Sequence, residues 1–287
     1  MLDIDKIREH TPACSRLIHF NNAGSSLSPG CVTDAVNAHL ELEQEIGGYE
    51  AADQAAAATR AIYQNISSLI GCHPNEIALV ENATRAWQLA TLALDLKAGD
   101  EVITSDMEYS SNYMGLLHLA RQRGIGIRMV QRGDDGIIDL AALEKSVNKY
   151  TRAIFLTHVA SHCGDIQPAQ AIGDIARSHQ LFYVLDACQS IGQIDIDVGA
   201  IGCDFLAASG RKFLRGPRGT GFLYINWARC GALAPPFVDL HSASWNSHDS
   251  YHWHDDARAY EIWEQNVAAN LGLGQAAAYA LDLGMNN

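Results

Sequence analysis

Positive charge is scarce in this sequence. Lysine and arginine together number 20, against 33 aspartate and glutamate residues, which gives a formal net charge of −13. No block of basic residues interrupts this acidic background. Because phosphate backbones and anionic lipid surfaces attract proteins through clustered basic side chains, we expect neither nucleic acid nor membrane as a partner.

Long apolar runs and paired cysteines are also missing. No hydrophobic stretch approaches the roughly 20 residues that span a bilayer, and the N-terminal segment carries charges where a secretory signal needs an apolar core. The seven cysteines are dispersed, without C-x-x-C spacing. An odd number of scattered thiols suits a reducing compartment, so we expect a cytoplasmic protein without disulfides.

Short apolar runs alternate with longer helical patterns along most of the chain. The runs predict seven strands, at 76–81, 101–105, 126–130, 152–159, 181–186, 204–209 and within 216–226. Helical patterns lie between them at 84–95, 111–123, 139–149 and 168–179. This alternation predicts an α/β fold with a mainly parallel seven-stranded sheet covered by helices on both faces.

The flanking segments are less regular. Residues 30–70 predict two helices separated at Gly47 and Gly48, and the stretch from 230 to about 256 predicts no regular structure. A final helix is predicted at 258–283.

Polar residues cluster where the predicted strands end, and ligands of open α/β sheets bind at that edge. Asp186 closes the strand LFYVLD. A carboxylate at the exit of a buried strand needs a cationic partner, and a pyridinium nitrogen would supply one. Alternatively, Asp186 caps the next segment of the chain.

Lys212 follows the strand DFLAAS and a Ser-Gly turn, which places its amine near the sheet edge and partly out of water. Desolvation and neighbouring cations lower the pKa of an amine and favour imine chemistry. Arg211, Arg215 and Arg218 add a positive field that suits a phosphate. A solvated basic loop is the alternative.

Two further strand exits carry candidate ligand contacts. Thr84 and Arg85 open a helix after the first strand, where N–H groups and a hydroxyl can bind phosphate; ordinary helix capping explains them as well. Tyr109 could lay its ring on a flat heterocycle, or it could simply pack.

Two other patterns are set aside. The histidines of HSASWNSHDSYHWHDD could ligate zinc, but no cysteine pairing supports this, and we expect a polar loop and no metal. The glycines at 216, 219 and 221 precede a late strand, whereas a dinucleotide-binding loop follows the first one.

The order and spacing of these segments resemble the class V aminotransferase and cysteine desulfurase superfamily of fold-type I pyridoxal phosphate (PLP) enzymes. The resemblance runs from about Phe20 to the C-terminus. It is carried by FNNAGSSLSP, ENATRAWQLA, MEYSSN, THVASHCGDIQP, DACQSIGQIDIDVGAIGCDFLAASGRKFLRGPRGTGFLY and DDARAYEIWEQN. The block from DACQS to SGRK is the most specific.

The resemblance implies roles around the cofactor ring. Lys212 would form a Schiff base with PLP, Asp186 would pair with the pyridine nitrogen, and Tyr109 would stack on the ring. Gln189 would contact the phenolic oxygen.

The resemblance also implies contacts at the phosphate and the substrate. Thr84, Ser209 and Arg211 would hold the phosphate, with the backbone of Arg85 nearby. Substrate contacts, for a small amino acid, are expected from Asn22, Ala23, Ser161 and His162.

The resemblance further implies an organisation into domains and subunits. Residues 1–20 would form an N-terminal segment, 21–257 a PLP-binding large domain, and 258–287 an interdomain helix with the start of a truncated small domain. The stretch AYEIWEQN matches a segment that usually reaches the neighbouring subunit's cofactor, which implies a homodimer.

The resemblance is strongest to the hercynylcysteine sulfoxide lyase and isopenicillin N epimerase-like branch, in NNAGSSL, GGYEAAD and GRKFLRGPRGTGFLY. It implies a C–S lyase acting on a cysteine-derived amino acid. The alternatives are a class V aminotransferase or amino-acid epimerase, and a non-catalytic PLP-binding fragment.

Overall fold

One seven-stranded sheet organises residues 2–285, the part of the chain that the structure, a computed structural model, describes. In chain order the strands are β1 (Ile77–Val80), β2 (Glu101–Ser105), β3 (Gly126–Val130), β4 (Thr151–Thr157), β5 (Phe182–Asp186), β6 (Phe205–Ser209) and β7 (Gly221–Ile225). Their spatial order is β1-β7-β6-β5-β4-β2-β3, and β7 runs antiparallel to both of its neighbours. The other pairs are parallel. The predicted mainly parallel seven-stranded sheet is confirmed.

Apolar residues on both faces explain why most of the strands read as continuous hydrophobic runs, whereas β3, at the edge of the sheet, is partly exposed. In β6, Leu206 packs into one core cluster and Phe205 into a second cluster on the opposite face. The same alternation places Tyr183 in the first cluster and Val184 in the second. Because side chains alternate along a strand, the sheet has a separate apolar core on each side.

Helices cover both cores. In chain order they are α1 (Ile4–Glu9), α2 (Gly30–Ile46), α3 (Gly48–Gln54), α4 (Ala56–Ile70), α5 (Ala83–Ala93), α6 (Ser110–Arg123), α7 (Leu140–Ser146), α8 (Ala169–Ser178), α9 (Val198–Ile201), α10 (Trp227–Cys230) and α11 (Val267–Leu283). The four predicted crossover helices correspond to α5, α6, α7 and α8. Within residues 2–285, no helix combines the length and apolarity that a membrane crossing requires.

The region of residues 30–70 contains three helices, so the prediction of two is wrong. The predicted break is present, because Gly47 adopts a φ of +98° between α2 and α3, a conformation that glycine tolerates. The unpredicted break lies at Ala55, between α3 and α4.

The segment after β7 differs from the prediction in two places. The irregular stretch contains a hairpin of β8 (Ala243–Ser247) and β9 (Ser250–Trp253). The predicted start of the last helix at 258 is wrong, since a 3₁₀ turn (Ala257–Tyr260) and an extended segment precede α11. The cause is Glu261, whose carboxylate accepts a hydrogen bond from the Leu79 backbone N–H at 2.7 Å and ties this segment to β1.

The strand register places the strand ends that were predicted to bind a ligand next to one another. Thr157 pairs with Asp186, while Gly221 pairs with Ser209 on one side and with Val80 on the other. A Cβ on Gly221 would meet the Ala208 carbonyl oxygen at 2.4 Å, so only glycine fits between β1 and β6. The glycines near 219 therefore serve the entry into β7.

Candidate active site

Two adjoining cavities open at this edge of the sheet. The first, of about 430 Å³, is called the arginine-lined cavity, because Arg211 and Arg218 line it. The second, of about 310 Å³, is called the histidine-lined cavity, because His162 lines it beside Ser161. Four residues line both cavities and form their common wall: Tyr109, Asp186, Cys188 and Lys212.

Lys212 lies in a tight turn after β6. The turn is closed by the Arg215 N–H, which donates to the Lys212 carbonyl oxygen at 2.9 Å, and by the Gly216 N–H, which donates to the Gly210 carbonyl oxygen at 2.8 Å. The Lys212 residue is only 7% exposed, and its Nζ lies 5.5 Å from the centre of the Tyr109 ring. No described residue forms a hydrogen bond or ion pair with this Nζ. The alternative of a solvated basic loop is therefore wrong for Lys212.

Asp186 is the last residue of β5 and is 4% exposed. Its Oδ1 accepts a hydrogen bond from the Cys188 backbone N–H at 2.9 Å, and its Oδ2 accepts one from Asn112 Nδ2 at 2.7 Å. The first bond closes a turn directly after β5; the next helix, α9, begins at Val198 with Asp197 as its N-cap, so Asp186 does not cap it. A carboxylate accepts about four hydrogen bonds, so this contact leaves Asp186 free to meet a ligand as well.

The arginine-lined cavity has the donor groups of an anion site. Thr84 and Ser209 line it, and Ser209 Oγ accepts a hydrogen bond from the Ala83 N–H at 3.0 Å, which ties the end of β6 to the start of α5. Arg211 donates through Nη1 to the Gly24 carbonyl oxygen. Neither Arg211 nor Arg218 forms a salt bridge with a carboxylate among residues 2–285, so their charge is available to a phosphate.

The structure places Arg85 outside this cavity. Its guanidinium lies 4.5 Å above the centre of the Phe237 ring, and its backbone N–H donates to the Asn82 side chain at 3.0 Å. Asn82, rather than Thr84, is thus the N-cap of α5. The backbone N–H of Arg85 already has a partner.

The remaining predicted residues fall into two groups. Gln189 lines the histidine-lined cavity, with its Nε2 donating to the Ala23 carbonyl oxygen at 3.1 Å and its buried Oε1 without a hydrogen-bond partner. Asn22 and Ala23 line neither cavity, although Ala23 is connected to the site through Gln189.

Three residues of the site received no role from the sequence. Glu108 and Asn112 flank Tyr109 and are joined by a hydrogen bond of 2.9 Å from Asn112 Nδ2 to Glu108 Oε1. Burial raises the pKa of Glu108, and the nearby charge of Asp186 also raises it. Burial raises the pKa of the Cys188 thiol to about 12, so the thiol stays neutral in the cavity wall. In the sequence, Glu108 precedes Tyr109 by one residue, Asn112 follows it by three, and Cys188 follows Asp186 by two; this closeness to candidate residues is the signal that the sequence held.

The histidine-rich stretch has another arrangement. His241 Nε2 lies 2.7 Å from Oε2 of the buried Glu261, and the His241 side chain itself is partly exposed. Within the described part of the chain, no three His, Cys, Asp or Glu side chains are grouped as metal ligands would be.

Nearly the whole chain matches one known protein family. The family model described as Aminotransferase class-V matches residues 18–287. The chain belongs to this family. Its members are PLP-dependent enzymes, so this class V aminotransferase family protein is an enzyme with PLP as its cofactor.

Similar curated proteins carry one recurring name. A probable cysteine desulfurase of Methanothermobacter thermautotrophicus is 30% identical over 286 residues, which cover 99% of this chain and 70% of that protein. A probable cysteine desulfurase of Pyrococcus abyssi is 26% identical and is covered over 71% of its length. The chain thus spans about 70% of these relatives.

Solved structures agree on the fold. The apo cysteine desulfurase of Thermococcus onnurineus NA1 matches with a TM-score of 0.91 at 26% identity, over 100% of this chain and 72% of that one. The cystine C–S lyase C-DES, solved with its product cysteine persulfide, matches with a TM-score of 0.86 at 23% identity, over 96% and 74%. The predicted PLP fold type I is confirmed.

The residues of the two cavities fit PLP. A phosphate needs cationic donors, and Arg211 and Arg218 are unpaired by carboxylates among the described residues. A pyridinium nitrogen needs an acceptor, and Asp186 offers its remaining lone pairs at the common wall. The unpartnered Gln189 Oε1 and Lys212 Nζ are the buried polar groups that a polar cofactor would satisfy.

Proposed function

We propose that this family member cleaves a C–S bond of a cysteine-derived amino acid. The observation that carries the proposal is a buried, unpaired lysine on a wall shared by an anion-binding cavity and a second, open cavity. The relatives named cysteine desulfurases support the choice of a sulfur-containing substrate.

In this proposal the arginine-lined cavity holds the cofactor. Thr84, Ser209 and Arg211 bind its phosphate, and Arg218 adds positive charge beside them. Asp186 binds the pyridine nitrogen and keeps it protonated, because an ionised carboxylate stabilises the adjacent cation. The ring of Tyr109 packs on the heterocycle, as aromatic rings do at separations of a few ångströms. Gln189 binds the phenolic oxygen.

Lys212 moves the proton in the proposed reaction. When bound, PLP supplies the electron sink that stabilises negative charge at the α-carbon of an amino acid. Lys212 Nζ accepts the α-proton and returns it to the product, since it lies in the wall that faces both cavities.

The histidine-lined cavity is the proposed substrate site. Ser161 and His162 line it and are solvent-exposed, so they can contact the polar groups of an arriving amino acid. Asn22 and Ala23 belong to the loop that Gln189 binds, and they act on the substrate through that loop.

The finer assignments are part of the same proposal. They are the hercynylcysteine sulfoxide lyase-like branch, a homodimer, a cytoplasmic location, and the division into an N-terminal segment, a large domain and an interdomain helix. A subunit interface involving AYEIWEQN is consistent with the exposed Trp263 in that stretch, which is 57% exposed. Glu261 of the same stretch is buried and cannot reach another subunit.

Transamination is the second candidate, because the matching family model is named for it. Epimerisation needs the same proton transfer at the α-carbon. The three reactions diverge only after the α-proton has been removed, so they are distinguished by their products.

The test is a product assay with the PLP-loaded protein. Cysteine, cystine and a cysteine sulfoxide conjugate are supplied without an amino acceptor. Release of a sulfur product, with pyruvate and ammonia or with alanine, supports C–S cleavage. A requirement for a keto acid indicates transamination, and inversion at the α-carbon without sulfur release indicates epimerisation. Either result contradicts the proposal, as does a cofactor spectrum that no amino acid changes.

A further inference from the structure

A hydrogen-bonded network leads from Asp186, in the common wall, to the strands beside it. Of its members, Asn112 also lines the arginine-lined cavity and Glu108 the histidine-lined cavity. Asn112 Nδ2 donates to Asp186 Oδ2 at 2.7 Å and to Glu108 Oε1 at 2.9 Å. Because an amide nitrogen carries two protons, it can serve both carboxylates at once. Asn112 is 1% exposed, so water does not compete for either bond.

Glu108 is fixed by groups from three elements. Thr104 Oγ1 of β2 donates to its Oε2 at 3.0 Å, and Thr157 Oγ1 at the end of β4 donates to its Oε1 at 2.7 Å. The Tyr109 N–H, at the start of α6, lies 3.1 Å from the same Oε1. The carboxylate of Glu108 therefore has a fixed position relative to the sheet.

The two donors on Asp186 fix its carboxylate plane. The Cys188 N–H holds Oδ1 from within the same loop, while Asn112 holds Oδ2 from another helix. A carboxylate held at one oxygen can rotate about its Cβ–Cγ bond, but one held at both oxygens cannot. This arrangement fixes the directions of the remaining lone pairs on the Asp186 carboxylate. Asp186 lines both cavities.

We propose that Asn112 is a positioning residue that orients the Asp186 carboxylate toward the cofactor ring nitrogen, and that Glu108 acts through Asn112 by fixing its amide. This inference rests on the proposed binding of PLP in the arginine-lined cavity. If Asn112 had a purely structural role and only anchored the start of α6 to β5, its replacement should leave the ring nitrogen of the cofactor unchanged.

The first experiment measures the pyridine nitrogen directly. Asn112→Leu keeps the side-chain volume and removes both donors, and Asn112→Ala serves if the leucine variant does not fold. Each is loaded with PLP labelled with ¹⁵N in the ring. We expect the ¹⁵N resonance to move toward that of the unprotonated ring and PLP to bind about tenfold more weakly, the usual effect of losing one hydrogen bond to a charged group. Gln122→Ala, which removes an exposed amide from the same helix, should change neither quantity.

The second experiment asks whether Asn112 acts through Asp186. In an Asp186→Asn background the carboxylate is absent, so the substitution of Asn112 should produce no further shift of the ¹⁵N resonance. An equal shift in both backgrounds would overturn the proposal, and so would an unchanged resonance in the single variants.

The third experiment tests Glu108. Glu108→Gln keeps the shape and one acceptor oxygen but loses the other, so we expect a smaller shift of the resonance in the same direction. This shift should vanish when Asn112 is already replaced. A shift that persists there contradicts the placement of Glu108 behind Asn112.

Measurements on the unsubstituted protein distinguish a failure of the proposed function from a failure of the positioning role of Asn112. If it binds no PLP at the Lys212 amine, judged by borohydride reduction and peptide mass spectrometry, the proposed function fails. If it binds PLP normally while the Asn112 variants are indistinguishable from it, only the positioning role fails.

Discussion

Two buried carboxylates, Asp186 and Glu261, occupy opposite kinds of environment in this protein. Glu261 is 2% exposed and accepts hydrogen bonds from the Tyr63 hydroxyl at 2.9 Å and the Leu79 N–H at 2.7 Å, and it pairs with His241. The cavity beside it is about 70 Å³. Asp186 lies beside 430 Å³ of space and near polar groups that lack partners. Burial alone does not indicate function, whereas burial beside unsatisfied donors and open volume does.

The comparison predicts that substitutions around Asp186 affect chemistry, whereas substitutions around Glu261 affect stability. The largest effect is expected for Lys212→Ala. Loss of the proton-transferring amine should lower turnover by about a thousandfold, within the range for general acid–base catalysis. The midpoint of thermal unfolding should stay close to that of the unsubstituted protein, since no described residue bonds to its Nζ. Steady-state kinetics beside calorimetry measure both, and full turnover in this variant would remove the basis of the proposed function.

Glu261→Ala should have the converse effect. It leaves the Leu79 N–H, the Tyr63 hydroxyl and His241 without their shared acceptor, so we expect a loss of about 3 kcal/mol in the free energy of unfolding. Denaturant titration measures the loss. The visible spectrum of bound PLP, recorded well below the unfolding midpoint, should not change. A normal unfolding free energy would show that Glu261 is not a structural centre.

Gln189→Ala tests the same contrast between effects on chemistry and effects on stability, and the expected effects are smaller. Gln189→Ala removes the Oε1 that has no partner among the described residues and also the hydrogen bond from Nε2 to the Ala23 carbonyl oxygen, so we expect a loss of only about 1 kcal/mol in the free energy of unfolding. If Gln189 binds the cofactor's phenolic oxygen, PLP affinity should fall by about threefold to tenfold, the range for one neutral hydrogen bond. Titration with PLP decides between this result and an unchanged affinity.

The smallest expected effect concerns pH. The hydrogen bond that His241 Nε2 donates to the Glu261 carboxylate raises the pKa of His241 above its usual value. A raised folded-state pKa means that protonated His241 stabilises the fold at pH below its usual pKa, and that this contribution disappears as pH rises through the folded-state pKa. Because His241 is partly exposed, the contribution should be less than about 1 kcal/mol.

The difference in unfolding free energy between the unsubstituted protein and His241→Gln should therefore be larger at pH 5.5 than at pH 9. The same pair of measurements in the Glu261→Ala background serves as the control, and the difference should depend less on pH there, since of the carboxylates Glu261 and Asp239 only Asp239 still raises the pKa of His241. A pH-independent difference in the unsubstituted background would contradict the pairing.

The sequence predicted the sheet well because most of its strands are buried on both faces and read as apolar runs; the edge strand β3, with Arg128 and Met129 exposed, is the exception. The lysine and the aspartate could be found because each follows such a run. Asn112 could not, since its partner Asp186 lies 74 residues away in the chain. The predicted start of α11 was wrong for a similar reason. Residues 258–266 have a helical composition, but Glu261 binds the backbone of Leu79, 182 residues distant, and that bond holds the segment extended.

The antiparallel strand β7 has a consequence for the order of assembly. Since β7 runs antiparallel to β1 and β6 and begins at the edge where they end, the loop before it brings Arg218 beside Thr84 and Ser209. Chain segments from several separate strand ends must meet before the binding pocket exists. Binding of PLP should accordingly follow the meeting of these strand ends when the polypeptide refolds.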